Sequence, residues 1–265
     1  MKTVMVLIHD DAGQEARLQC ALDMVRTVNG HLLCLDVLMA PVVADGFGLG
    51  GGGGILLAEE REREDANVER LEARLAREGV SYEWARVTSG SDGAIAGSAR
   101  LVDLIVVGKQ GLGELAETGA VAARLAALTS APILLVPTGQ TSLDLTGPAL
   151  VAWDGSGPAD AAVRAAVPLL RLASDVQIVT IGEEEGAADP DEVAVYLDRH
   201  GCKATSRRLP RQADVGAQLL ETLGAGGASW GVMGCYGHGR LREQLFGGTT
   251  RTLLAKVGVP ILLSH

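Results

Sequence analysis

The chain contains an internal repeat, and this repeat limits its fold more strongly than any single motif does. The two copies correspond best near their ends, where residues 131–135 (APILL) match residues 259–263 (VPILL). A period of about 128 residues is far longer than a solenoid repeat, so each copy is large enough to form a domain. The polar stretch TGQTS separates the copies. We therefore predict two tandem domains, residues 1–143 and 144–265.

Each copy alternates short runs of Val, Ile and Leu with helical patterns of apolar residues, such as Leu18 and Leu22 in the first copy and Val163 and Val167 in the second. We predict an α/β fold of two tandem, doubly wound, Rossmann-like domains. Each domain is expected to have a five-stranded, mostly parallel sheet with helices on both faces. The predicted strands are residues 3–8, 31–38, 82–88, 103–107 and 132–136, and residues 149–153, 176–181, 203–209, 230–234 and 260–264.

The segment between the second and third predicted strands is the least regular part of the first copy. Residues 46–57 (GFGLGGGGGILL) lack the Lys and Ser/Thr of a phosphate-binding P-loop, so a flexible loop is expected there. The charged residues that follow, 59–77, predict a helix with a solvated face of ion pairs four residues apart.

Composition and charge exclude several classes of function. A net charge of −10 argues against binding to nucleic acid, which depends on neutralisation of phosphates by Lys and Arg. No apolar run has the length of a membrane-spanning helix, and the N-terminus turns acidic before a signal peptide could form. We expect a cytoplasmic protein without a membrane partner, in which the four cysteines are reduced thiols.

The end of the second copy carries a spaced set of glycines followed by threonines. The ninth predicted strand ends at a glycine, and further glycines precede the last predicted helix; the set is Gly234, Gly237, Gly247, Gly248, Thr249 and Thr250. Glycines let the backbone approach a ligand closely, and the N–H groups at a helix N-terminus attract anions. A phosphate site is the leading interpretation. The alternative is a tight entry into the helix with Thr249 as its N-cap.

This spacing resembles the nucleotide-binding signature of the universal stress protein family: Gly, two residues, Gly, nine residues, Gly, then Ser or Thr. The resemblance extends over both copies and implies the adenine nucleotide alpha hydrolase-like fold. It also implies binding of ATP or a related adenine nucleotide, with or without Mg²⁺. Asp154 would then lie near the adenine or ribose, and Val179 would contact the adenine. One departure is that Gly248 holds the Ser/Thr position, which moves the hydroxyl to Thr249.

The first copy departs further from the same signature. Only seven residues separate Gly111 from Gly119, and the residues that follow carry no hydroxyl. His9-Asp10-Asp11 stands opposite Asp154, with a register that is uncertain by about one residue. We therefore predict a degenerate nucleotide site in the first domain and an ATP-binding site in the second.

The remaining predictions concern partners and chemistry. The two domains are expected to pair through their closing PILL strands, which would otherwise be exposed apolar edges, and a homodimer is left open. No catalytic group is identified, so ATP hydrolysis would be slow at most. The alternatives to a nucleotide-binding stress regulator are a nucleotide-free scaffold and an enzyme acting on an adenylated or phosphorylated small molecule. No metal ligands are predicted, because His200 and Cys202 precede one strand whereas Cys235 and His238 follow another.

Overall fold

The computed structural model describes residues 1–38, 52–88, 92–109, 120–182, 189–235 and 248–265. The first half contains β1 Thr3–Ile8, α1 Gln14–Val28, β2 His31–Leu38, α2 Gly52–Leu75, β3 Ser81–Thr88, α3 Asp92–Ser98, β4 Leu104–Gly108, α4 Ala120–Leu128 and β5 Ile133–Val136. The second half contains β6 Ala149–Ala152, α5 Gly157–Leu170, β7 Val176–Ile181, α6 Pro190–Arg199, β8 Ala204–Leu209, α7 Val215–Ala225, β9 Trp230–Gly234, α8 Gly248–Lys256 and β10 Ile261–Ser264.

All the described strands form one sheet, in the order β3-β2-β1-β4-β5-β10-β9-β6-β7-β8. Neighbouring strands within each half are parallel. The halves join where β10 pairs with β5 in the antiparallel direction, with Leu262 opposite Leu134. The apolar closing strand of each half is therefore covered by that of the other, and neither is an edge.

Helices cover both faces of this sheet. Buried residues of α1, α2, α5 and α6 share one core cluster with residues such as Val6 and Val151. Buried residues of α3, α4, α7 and α8 share the cluster on the opposite face with residues such as Leu7 and Leu150. Because successive strand residues point to opposite faces, the central strands are apolar on both faces, whereas the edge strands β3 and β8 are more polar and exposed. The predicted doubly wound α/β fold is confirmed.

Local sequence signals explain where several helices begin. Ser156 caps α5 by accepting a hydrogen bond from the N–H of Ala159, and Asp189 caps α6 by accepting one from Asp191. Asp214 does the same for the first turn of α7. Such caps satisfy N–H groups that have no partner inside the helix. None of the described helices combines the length and hydropathy needed to cross a bilayer.

Two expectations about the segment before β3 are wrong. The helix α2 begins at Gly52, so residues 52–57 are helical where a loop was expected, while residues 46–51 lie outside the described residues. The face of α2 is also not uniformly solvated, because Glu64 and Asn67 are buried. Tertiary packing overrides the low helix propensity of glycine and the polarity of these side chains.

Candidate functional site

The predicted nucleotide residues lie where β6 and β9 end, side by side in the sheet. Ala152 of β6 pairs with Met233 of β9; Gly234 follows Met233 directly, and Asp154 follows Ala152 after one residue. Asp154 is exposed, and its Oδ1 accepts a hydrogen bond from the N–H of Ser156 at 3.0 Å. In an open parallel sheet, ligands bind outside the carboxyl ends of strands at the point where strand order reverses. The region between β6 and β9 is this point in the second half.

Gly234 has a packing role that the sequence did not reveal. A Cβ at this position would lie 2.4 Å from the nitrogen of Ala159 and 2.6 Å from the carbonyl carbon of Pro158. The end of β9 therefore touches the first turn of α5 so closely that only glycine fits. Packing therefore requires a glycine at position 234, and the predicted approach of a nucleotide to Gly234 stays a prediction.

The chain just after Gly234 is held by the last strand. The N–H of Cys235 donates to the carbonyl of Ser264 at 2.9 Å, and Nδ1 of His265 lies 3.1 Å from the carbonyl of Cys235. Burial raises the pKa of the Cys235 thiol to about 12, so the thiolate is scarce at neutral pH. Cys202 packs in the core cluster on the opposite face of the sheet, so these two cysteines do not share one site.

Val179 lies inside the sheet, two residues before β7 ends at Ile181. Its side chain is buried, and its carbonyl accepts a hydrogen bond from the N–H of Trp153 at 3.0 Å. Thr180 donates from Oγ1 to the carbonyl of Trp153 at 2.9 Å, which ties β7 to the end of β6. The predicted contact of Val179 with adenine stays a prediction, and Ile181 at the end of β7 is partly exposed.

The phosphate end of the predicted motif is only partly described. Gly237 and Gly247 lie outside the described residues. The helix α8 begins at Gly248, so the backbones of Gly248, Thr249 and Thr250 form its first turn. The observed start lies one to two residues before the predicted start. The N–H groups of the first helical turn, which have no partner inside a helix, therefore still lie among the predicted glycine and threonine residues.

The register of the sheet identifies the counterpart of Asp154 in the first half. Val6 of β1 pairs with Val106 of β4, and Val151 of β6 pairs with Val232 of β9. Because Val106 and Val232 are equivalent in the repeat, three residues after each first-strand valine stand His9 and Asp154. The sequence alone left this register uncertain by one residue, and the strand pairing makes His9 the equivalent residue.

His9 is surrounded by carboxylates from α2. The imidazole is buried, with Nδ1 2.9 Å from Glu64 Oε1 and 3.9 Å from Glu60 Oε1. Burial lowers the pKa of His9, but Glu64, Asp11 and Glu60 more than offset it, so the pKa is raised. Burial raises the pKa of Glu64, but the contacts with His9, Asp10 and Asn67 dominate and hold that pKa below its usual value.

Further buried polar side chains hold this group in place. The amides of Gln14 and Asn67 exchange two hydrogen bonds of 2.7 and 2.9 Å, and Gln14 Oε1 also accepts from the backbone N–H of His9. Arg17 is buried, donates to the carbonyls of Leu7 and His9, and forms two hydrogen bonds of 2.8 Å with Asp11. These contacts occupy the end of β1 with protein groups.

The sequence alone did not predict this cluster, because its members are distant along the chain. Glu60, Glu64 and Asn67 do recur at i, i+4 and i+7, which places them on one face of α2. That face looked like a solvated row of charges. In the sequence, only the match between His9 and Asp154 pointed to this region, and that match does not indicate that α2 packs against the end of β1.

Comparisons of the sequence with family models and of the structure with solved structures lead to the same family. A family model described as the universal stress protein family matches residues 1–137. A universal stress protein from Archaeoglobus fulgidus DSM 4304 superimposes with a TM-score of 0.79 at 15% identity, covering 99% of this chain and 95% of that one. A putative universal stress protein from Pseudomonas aeruginosa UCBPP-PA14 gives a TM-score of 0.65 at 16% identity, covering 99% and 92% of the two chains. No curated protein sequence matches the chain.

The structural likeness at these identities shows the fold, over nearly the whole length of both halves. The family model adds a match in sequence over more than half of the chain, and that match falls on the half that lacks the complete glycine motif. The chain belongs to the universal stress protein family.

Proposed function

We propose that this chain is a tandem universal stress protein in which residues 144–265 bind ATP or a related adenine nucleotide and act as a stress sensor or regulator. Residues 1–143 would then form a domain that has lost this site. The observation that carries the proposal is the asymmetry between equivalent positions: Asp154 is exposed beside a motif of the family, whereas His9 is buried under α2.

The first turns of α1 and α5 support this assignment. Gln14 and Arg17 of α1 carry long polar side chains that meet the end of β1. The same shift along the chain that relates His9 to Asp154 places Ala159 and Ala162 at these positions of α5. Both alanines are buried, so no long side chain from this turn extends over the end of β6. This difference between the first turns of α1 and α5 supports a ligand at the end of β6 and none at the end of β1.

The helix start at Gly248 supports a phosphate position. Its first N–H groups have no partner inside the helix, and the helix dipole favours an anion there. The nucleotide would be oriented with its base toward Asp154 and its phosphates toward Gly247 to Thr250, with or without Mg²⁺. A carboxylate accepts hydrogen bonds from amino or hydroxyl groups of the base and ribose.

The proposal extends to assembly and location. The pairing of β5 with β10 would be the contact that single-domain relatives make between two chains, so the second half supplies a partner that a homodimer would otherwise provide. A cytoplasmic location and binding without rapid turnover complete the proposal.

Calorimetry of the full chain with ATP, ADP and AMP, with and without Mg²⁺, tests it. We expect one nucleotide per chain. Asp154→Ala should weaken binding by roughly 10- to 100-fold, since it removes a hydrogen bond to a charged group. Asp160→Ala is the control, because Asp160 is a partly exposed carboxylate in the first turn of α5.

Two equivalent sites per chain would contradict the proposed asymmetry. Absence of binding by any of the three nucleotides would favour a nucleotide-free scaffold that acts through protein contacts. Turnover of an adenylated or phosphorylated metabolite would favour an enzyme at the same site.

A further inference from the structure

His9, Glu60 and Glu64 form a compact group of potential metal ligands at the end of β1. One ligand atom from each lies within 4.8 Å of the other two. Nδ1 of His9 is 2.9 Å from Glu64 Oε1 and 3.9 Å from Glu60 Oε1. Zinc binds imidazole and carboxylate ligands at about 2.0 to 2.2 Å, so two ligands of one ion lie roughly 3 to 4 Å apart. The spacing of this group matches that requirement.

The imidazole supplies an independent observation. Nδ1 of His9 is buried and has no hydrogen-bond partner assigned among the described residues, although it lies 2.9 Å from Glu64 Oε1. Buried polar atoms are normally satisfied by protein, water or an ion. The unpartnered nitrogen therefore points into the group of carboxylate oxygens with its coordination unfilled.

The carboxylate of Glu64 is positioned as metal ligands usually are. Its Oε1 accepts a hydrogen bond from the N–H of Asp10 at 3.1 Å, and its Oε2 accepts one from the amide of Asn67 at 3.1 Å. Asn67 is fixed in turn by Gln14. Such outer contacts orient ligands and are part of most metal sites.

We propose that His9, Glu60 and Glu64 bind a divalent transition-metal ion, with Zn²⁺ as the best match. One imidazole and two carboxylates suit zinc and its first-row neighbours, whereas Mg²⁺ prefers oxygen ligands alone. Three protein ligands leave at least one position of a tetrahedral ion for water or a small anion. The proposal does not rest on nucleotide binding in the second half.

Arg63 limits how the ion is held. Its Nη2 lies 2.7 Å from Glu60 Oε2 and 3.8 Å from Glu64 Oε1, and its side chain is half exposed. Glu60 therefore keeps Oε1 for the ion while Oε2 pairs with the guanidinium. Because a cation beside the site opposes a second cation, Arg63→Gln should strengthen zinc binding several-fold.

The test uses the full chain after removal of metals with a chelator. Calorimetric titration with Zn²⁺ should show one site per chain with a Kd in the micromolar range or tighter. Glu60→Gln should weaken binding by at least roughly tenfold, because losing even an outer contact of a metal ligand costs that much. His9→Ala should abolish the site. Zn²⁺ should raise the Tm of the wild type, and at the same Zn²⁺ concentration it should raise that of Glu60→Gln by less.

The chain offers a matched control in His31 and Glu83, a more exposed pair with Nε2 3.6 Å from Oε1. His31→Ala and Glu83→Gln should leave zinc affinity unchanged. If His9→Ala fails to fold, Glu60→Gln decides, because Glu60 lies at the partly exposed rim of the group. The proposal is overturned if the wild type does not bind Zn²⁺, which would leave a structural ion pair between protonated His9 and Glu64. It is also overturned if the control variants weaken binding as much as Glu60→Gln.

Discussion

The carboxyl ends of β1 and β6 occupy equivalent places in the two halves, yet the residue after β1 is buried whereas its counterpart after β6 is exposed. The end of β1 meets buried His9, Gln14 and Arg17, whereas the end of β6 carries exposed Asp154 and two alanines at the positions of Gln14 and Arg17. The helix that follows the second strand is also much longer in the first half, where α2 spans 24 residues and α6 spans 10.

This difference teaches that a few side chains on a common backbone determine whether the end of the first strand of each half is buried or exposed. The strands and their order are the same in both halves, because they depend on apolar faces that both copies keep. The side chains at the strand ends have no such constraint, so they diverge. Fold and function are separable for this reason.

The largest expected effect comes from Arg17, which the second half replaces by Ala162. Arg17→Met keeps apolar length but removes the guanidinium that donates to Asp11 and to the carbonyls of Leu7 and His9. Breaking a buried ion pair from one side should lower the free energy of unfolding by about 3 to 5 kcal/mol, measured by urea denaturation. Arg164→Met is the control, since Arg164 is exposed on α5, and it should change stability by less than about 0.5 kcal/mol. Equal losses would break the comparison.

The next effect concerns the predicted phosphate end. Gly247→Val should weaken ATP binding by about two orders of magnitude or more, because a side chain there blocks two or more hydrogen bonds worth roughly 1.5 to 3 kcal/mol each. Gly119→Val, at the matching position of the first half, should leave ATP affinity unchanged. Calorimetry on both folded variants measures the difference. Wild-type affinity in Gly247→Val would mean that these glycines serve only the turn.

A smaller effect is expected at Gly234, where β9 touches α5. Gly234→Ala places a Cβ 2.4 Å from the nitrogen of Ala159 and should cost about 1 to 3 kcal/mol of stability from overpacking. Gly224→Ala is the matched control, because a Cβ there meets nothing within 4 Å and alanine favours a helix by up to about 1 kcal/mol. Thermal denaturation compares them. If Gly234→Ala is as stable as the wild type, the close contact is not a constraint.

The smallest effect is a pH dependence confined to the first half. The backbone N–H groups of Lys2 and Thr3 hold the pKa of Asp103 below its usual value. The second half has Ser229 and Pro148 at the positions of Asp103 and Thr3, so it lacks both the carboxylate and one of its N–H donors.

Because the folded pKa of Asp103 is lower than the unfolded one near 3.9, its stabilisation exists above that pH and is lost as the pH falls through the folded pKa. Because Asp103 is exposed and solvent screens its contacts, Asp103→Asn should cost only about 0.5 kcal/mol at pH 7, and the cost should shrink below about pH 4. Urea denaturation across this pH range measures it. A cost that does not vary with pH would contradict the assignment, and Ser229→Ala should show no such dependence.

Much of the fold was predictable, and the site only in part. The predicted strands agree with the observed ones within one residue at each end, and helices cover both faces as expected. Asp154 and Gly234 lie at the ends of neighbouring strands as predicted, and Val179 lies within its predicted strand. The burial of the Val179 side chain depends on the core cluster that it shares with Leu219 and Leu223 of α7, which apolar composition alone cannot indicate.

The sequence by itself determined the duplicated α/β unit, since the periodicity of apolar residues is a local property that each strand and helix carries alone. Only the tertiary structure decided that α2 packs over the end of β1 and buries Glu64 beside His9. The sequence predicted that the closing strands pair, and the tertiary structure adds that β5 and β10 do so in the antiparallel direction. Such contacts join residues far apart in the chain, so they depend on the packing of whole elements and leave little trace in any single segment.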